Sequence, residues 1–118
     1  MTKKYDKDNV FARILRGQLP AKVVSEDEYH IAFHDIAPAA PVHVLVIPRG
    51  EFVDYDHFVA SASDEEILGF FRGVNKTLSQ LEHHNGYRLV ANQGRYGGQL
   101  VPHFHMHILS GKQLSGVA

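Results

Sequence analysis

Toward its C-terminal end the chain reads His103-Phe104-His105-Met106-His107-Ile108-Leu109, with imidazole and apolar side chains in strict alternation. A period of two belongs to a β-strand, whose successive side chains point to opposite faces. On a helix, residue i+2 is turned by about 200° from residue i, which would send His105 away from His103 and His107. The pattern therefore predicts a strand over 101–109, with three imidazoles on one face and Phe104, Met106 and Ile108 in the core. Imidazoles crowded in this way would repel one another if protonated, so solubility is a poor reason to group them. The alternation points to a functional site. The chain has nine histidines and no cysteine. Disulfides, thiolate zinc ligands and a cysteine nucleophile are therefore ruled out, and the chemistry has to rest on imidazole.

At 118 residues the chain is long enough for one core of ordinary size, and 44% hydrophobic residues place it among folded globular proteins. Lys plus Arg number 12 against 13 Asp plus Glu. That balance argues against a nucleic-acid partner, which calls for a clustered excess of cations. No stretch approaches the roughly 20 apolar residues of a membrane span, so no membrane partner is expected. The charged start, Met1 to Asp8, is not followed by an apolar signal region. A cytoplasmic location is the expectation, with residues 1–8 as a flexible tail and 9–118 as a single domain.

Asn9 is placed to cap a short helix with Val10, Phe11, Ile14 and Leu15 on one face, ended by Gly17 and Pro20. Residues 22–25 and 29–33 read as a β-hairpin around the acidic turn at 26–28. Val42 to Ile47 is a nearly continuous apolar strand with both faces covered. Residues 49–62 read as a loop. Ser63-Asp64-Glu65-Glu66 has the capping-box pattern. It opens an amphipathic helix of about five turns through Ile67, Phe70, Phe71, Val74, Leu78 and Leu81, stopped by Asn85-Gly86. A strand over 87–92, a glycine-rich loop at 94–98 and the histidine strand complete the chain. Short connections and one long helix suggest α+β with an antiparallel sheet. His30, His57, His83 and His84 are scattered and expected at the surface.

Two chemistries compete for the histidines. A metal site is one, since imidazole is a common ligand. Along a strand, however, His103 and His107 would lie about 13 Å apart. Zn–N bonds span only about 2.0–2.1 Å, so a third ligand such as His43 would have to come from elsewhere. The other is nucleophilic attack on phosphorus by a neutral imidazole, which needs no metal or other cofactor. Flanking imidazoles could fix its tautomer and bind the anion. Gly94, Gly97 and Gly98, just before the strand, would let backbone N–H groups approach a phosphate.

The His-apolar-His-apolar-His-apolar-apolar run resembles the signature of the histidine triad superfamily of nucleotide hydrolases and transferases. Further matches extend from about Asn9 to Gly111: Phe11 to Gly17, Pro20-Ala21-Lys22, Ala32 to Pro38, Pro41-Val42-His43, Val46-Ile47-Pro48 and Gly86 to Val90. They are similar to the Hint branch in particular. The resemblance implies a five-stranded antiparallel sheet with two helices, and a homodimer whose sheets join edge to edge. It implies hydrolysis at the α-phosphorus of purine nucleoside monophosphate derivatives, such as an adenosine 5′-phosphoramidate. The alternatives are a dinucleoside polyphosphate hydrolase of the Fhit type, or a nucleotide-binding regulatory module with residual activity.

By the same resemblance His105 is the nucleophile that carries a transient nucleotidyl group. His107 binds the phosphate and assists the leaving group, and His103 with His43 supports the nucleophile. Asn92 and the backbone of Gly98, Gln99 and Leu100 hold phosphate oxygens, and Asp35 accepts from the ribose hydroxyls. Phe11, Ile14, Phe33 and Ile36, with His34, form the purine slot. By pattern alone those four apolar residues read as core, His43 as a buried histidine, and Asp35 as a turn residue. Two positions depart from the branch. Leu100 stands where Ser or Thr is usual, and the tail after Gly111 lacks a Trp that some relatives place near the partner's site.

Overall fold

The computed structural model describes residues 4–83 and 85–116. Along the chain run α1 (Val10–Leu15), β1 (Val23–Glu26), β2 (His30–His34), β3 (Val42–Pro48), α2 (Tyr55–Ser61), α3 (Asp64–Ser79), β4 (Arg88–Ala91) and β5 (Met106–Ser110). The strands form one antiparallel sheet in the order β1-β2-β3-β5-β4, as the α+β reading expects.

β3 lies at the centre and is buried along nearly its whole length, because its two faces serve different cores. Val44 and Val46 join Ala32, Phe58, Phe70, Val74, Phe104 and Ile108 under α2 and α3. Leu45 and Ile47 point the other way, to Phe11, Ile31 and Phe33 beneath α1. The period of two thus assigns His43 to the α1 face, with His107 beside it through the Leu45–His107 pair of the β3–β5 ladder.

Helix termini follow the local chemistry. Asn9 Oδ1 accepts from Ala12 N–H at 2.9 Å, and the Gly17 N–H closes the helix end onto Ile14 O at 3.0 Å. The capping box of α3 is formed in both directions, Ser63 Oγ from Glu66 N–H and Glu66 Oε1 from Ser63 N–H. The helix nevertheless ends at Ser79, short of Asn85-Gly86, and Leu81 packs against the core from beyond it.

Three expectations are corrected. The segment over 49–62 is not all loop: Asp54 caps the seven-residue α2, so the described residues form three helices rather than two. Phe58 of α2 stacks on Phe104 with ring centroids 4.9 Å apart, and Phe70 of α3 meets both rings at 5.2 Å. The last strand begins at Met106 rather than Val101, because Phe104 is instead anchored through its N–H to Phe52 O at 2.7 Å. His30, expected at the surface, is fully buried. Its imidazole meets Asp27 Oδ1 at 2.8 Å and Ser25 Oγ at 2.9 Å. It fits beneath α3 because residue 73 is glycine: a Cβ there would come within 2.4 Å of the His30 ring. His57 and His83 are half-buried, and His84 lies outside the described residues, as do residues 1–3 of the expected tail.

Candidate active site

Four histidines gather along the β3–β5 seam on the face that carries α1. The His105 and His107 ring centroids are 5.1 Å apart, and those of His43 and His107 also 5.1 Å. Phe11 of α1 meets His105 edge-on at 4.9 Å.

Hydrogen bonds assign the tautomers, since carbonyl oxygens accept and amide N–H groups donate. His105 Nδ1 lies 2.8 Å from the carbonyl of its neighbour His103, so Nδ1 carries the proton and Nε2 holds a lone pair. His43 Nδ1 accepts from Ala39 N–H at 2.9 Å, so its proton sits on Nε2. From there it donates to His107 Nδ1 at 2.8 Å, with Asp35 Oδ2 at 3.4 Å. His107 must then present Nε2–H. Burial favours the neutral forms of His103, His105 and His107. It lowers the His105 pKa, and it holds His103 and His107 at about 4, with the neighbouring imidazoles adding to the effect. The arrangement supplies an uncharged nucleophilic nitrogen beside an uncharged N–H donor.

His103 lies deeper than the other two, its ring centroid 6.3 Å from that of Phe11. It is fully buried, its Nε2 donates to Pro48 O at 2.9 Å, and its Nδ1 meets the Tyr5 hydroxyl at 2.6 Å. It cannot touch a substrate, and it contributes through its carbonyl. His43 likewise departs from its expected place: it supports His107, not His105.

Asp35, His43 and His107 lie close enough together to suggest a metal site. The tautomers oppose it. A metal would need a lone pair at His43 Nε2, yet that nitrogen carries the proton because Nδ1 accepts from an amide. Ligating imidazoles instead donate from their second nitrogen.

Beside the histidines runs a cleft of about 1040 Å³, lined by Phe11, Ile14, Phe33, His34, Asp35, Ile36 and Leu100 among others. Phe11 and Phe33 are both core residues and cleft wall, so the two readings of these side chains hold together. Ile36 and Leu100 stand out at its mouth, fully and 92% exposed. Val10, Pro20, Ala21, Lys22, Leu45 and Val101 also line it. None of these was singled out from sequence as a site residue, although the Pro20 exit from α1 foreshadows the turn that brings Lys22 there. Asp35 Oδ1 accepts from Ala37 N–H at 2.8 Å, the turn contact, which leaves Oδ2 directed at His43.

The glycine loop differs from the expected cradle. Gly98 N–H closes onto Arg95 O and Gln99 N–H onto Gly94 O. Asn92 Nδ2 donates to Gly97 O at 2.6 Å. Gln99 is turned inward, its amide oxygen accepting from Gly94 N–H and its nitrogen donating to Val53 O and Val101 O. The turn thereby occupies the N–H groups of Gly94, Gly98 and Gln99. Gly97 leaves no room for a Cβ beside Gln93 O, and Gly98 has φ +82, a left-handed value.

A HIT domain family model matches residues 16–114. An uncharacterized 13.2 kDa HIT-like protein of Azospirillum brasilense is 50% identical over 115 residues, covering 97% of this chain and 94% of that protein. Among solved structures, a histidine triad protein from Clostridium difficile superposes with TM-score 0.83 at 32% identity, covering 98% of this chain and 100% of that one. A HIT family hydrolase from Clostridium thermocellum gives TM-score 0.81 at 35% identity, covering 94% and 96%.

Proposed function

Because the chain belongs to the HIT domain family, we propose that it is a nucleotide hydrolase acting at the α-phosphorus of purine nucleoside monophosphate derivatives, in the manner of the Hint branch. The observation that carries the reading is the His103 carbonyl on His105 Nδ1, which leaves Nε2 as a neutral nucleophile. In the first step Nε2 attacks phosphorus. A phosphorus–imidazole bond forms, and the bond to the leaving nitrogen breaks as that nitrogen takes a proton from solvent water and departs as an amine. His107, held in its Nε2–H form by His43, directs a hydrogen bond at the phosphate where charge develops. Water then attacks the nucleotidyl phosphorus and returns a proton to solvent; the phosphorus–imidazole bond breaks, releasing the nucleoside monophosphate and restoring His105.

The apolar cleft supports a purine between Phe11, Ile14, Phe33 and Ile36, with Asp35 at its edge for the ribose hydroxyls. The same reading takes the outer edge of β4, with Tyr87 and Leu89 exposed, as the seam of a homodimer. The test is turnover of a fluorogenic adenosine 5′-phosphoramidate. The wild type should hydrolyse it and His105→Ala should not. A wild type that binds the nucleoside monophosphate without turnover would make the protein a binding module instead.

A further inference from the structure

Tyr5 comes from the segment that the sequence suggests should fray, yet the chain around it is tied down. Asn9 holds Asp6 O through both its backbone N–H and its side-chain amide, and Arg16 donates to Lys7 O at 2.8 Å. Tyr5 is thereby laid edge-on against His103, with ring centroids 5.6 Å apart and its hydroxyl 2.6 Å from Nδ1. His103 Nε2 must carry the ring proton, because its partner, Pro48 O, can only accept. The Tyr5 hydroxyl is therefore the donor. Both ring nitrogens of a fully buried imidazole are thus satisfied, and the residue that presents its carbonyl to His105 Nδ1 is fixed on two sides.

We propose that Tyr5 is a positioning residue for the nucleophile: by donating to His103 it holds the His103 carbonyl where it keeps His105 in the Nδ1–H tautomer. The inference rests on the reading of His105 as nucleophile. It does so through a relay of two hydrogen bonds, from Tyr5 to the His103 ring and from His105 to the His103 carbonyl. Without the hydroxyl, Nδ1 of His103 becomes a buried acceptor with no donor. The ring then gains by turning toward other partners, and its backbone follows.

The experiment is Tyr5→Phe, which keeps the ring and its edge-on contact, compared with wild type in two measurements. In the first, kcat for the adenosine phosphoramidate falls about three- to tenfold while KM stays within about twofold, because the base and ribose contacts lie elsewhere. In the second, ¹⁵N spectra of the imidazoles show wild-type His105 as a pure Nδ1–H tautomer and the variant as a mixture of both tautomers. A merely structural role would lower thermal stability and leave both readouts unmoved, which overturns the proposal. A fall in kcat with the His105 spectrum unchanged also overturns it. If wild type shows no turnover, the hydrolase reading fails, while the spectra still decide the role of Tyr5.

Discussion

His43 Nε2 donates to His107 Nδ1 across 2.8 Å, and it does so because its other nitrogen is committed as acceptor to the Ala39 amide. A backbone amide thus sets the proton position of an imidazole two hydrogen bonds away. It also makes three clustered ligand-type residues a proton-bearing pair with a carboxylate nearby, not a set of lone pairs awaiting a cation.

The consequence expected is metal independence. Hydrolysis of the phosphoramidate should continue unchanged after dialysis against EDTA, and added zinc should give no gain. Activity lost on chelation and restored by zinc would contradict the tautomers assigned here.

Acid should destabilise the protein before its carboxylates titrate. Burial holds the His103 pKa down at about 4, against roughly 6.5 in the unfolded chain. Between those values the unfolded state binds more protons, so stability falls as pH falls, by up to about 1.4 kcal/mol per pH unit for one imidazole. His107 acts in the same direction, less strongly because it is partly open to solvent. Urea unfolding should show a loss of roughly 1–2 kcal/mol between pH 7 and pH 5. The loss should be shallower in His103→Gln, whose side chain does not titrate.

Gln99→Ala tests the bracing of the glycine loop. The amide serves Gly94, Val53 and Val101 together, so truncation leaves several half-buried backbone groups unpaired. Stability should drop by about 1–3 kcal/mol in denaturant titrations, with nucleotide affinity falling alongside. An unaltered midpoint would mean that the loop holds its shape without the side chain.

Leu100→Ser should leave stability within about 0.5 kcal/mol, since Leu100 is 92% exposed and packs against little. The new hydroxyl could donate to a substrate phosphate. Only the share felt more strongly in the transition state raises the rate, so kcat/KM should increase by no more than about tenfold. A folded Leu100→Ser protein with lower kcat/KM would assign the leucine a role in shaping the cleft mouth.

The parts legible in sequence were those written in a short period or a cap. The alternation around His105 correctly sent Phe104 and Ile108 into the core, and Ser63 with Glu66 marked the start of α3. α2 was missed because its seven residues bury a single side chain, Phe58, too few for a helical period to emerge. Asp54, three residues before His57, was the available signal, a cap without a visible stripe. His30 was misplaced because the alternation of β2 does not say what covers each face. Gly69 and Gly73, one turn apart on α3, open the notch that admits Tyr29 and His30. The tautomers were beyond reach altogether. They depend on which carbonyl or amide meets each ring, and Pro48, Ala39 and Tyr5 are distant from their partners in the chain or unremarkable in type.

The most direct test of the account is a single-turnover quench with an adenosine 5′-phosphoramidate, followed by mass analysis of peptides from the histidine strand. The account predicts an adenylyl group on His105, stable to base, released by acid as a phosphorus–nitrogen bond requires, and absent from His105→Ala. A nucleotidyl group found on His107, or full turnover in His105→Ala, would contradict it.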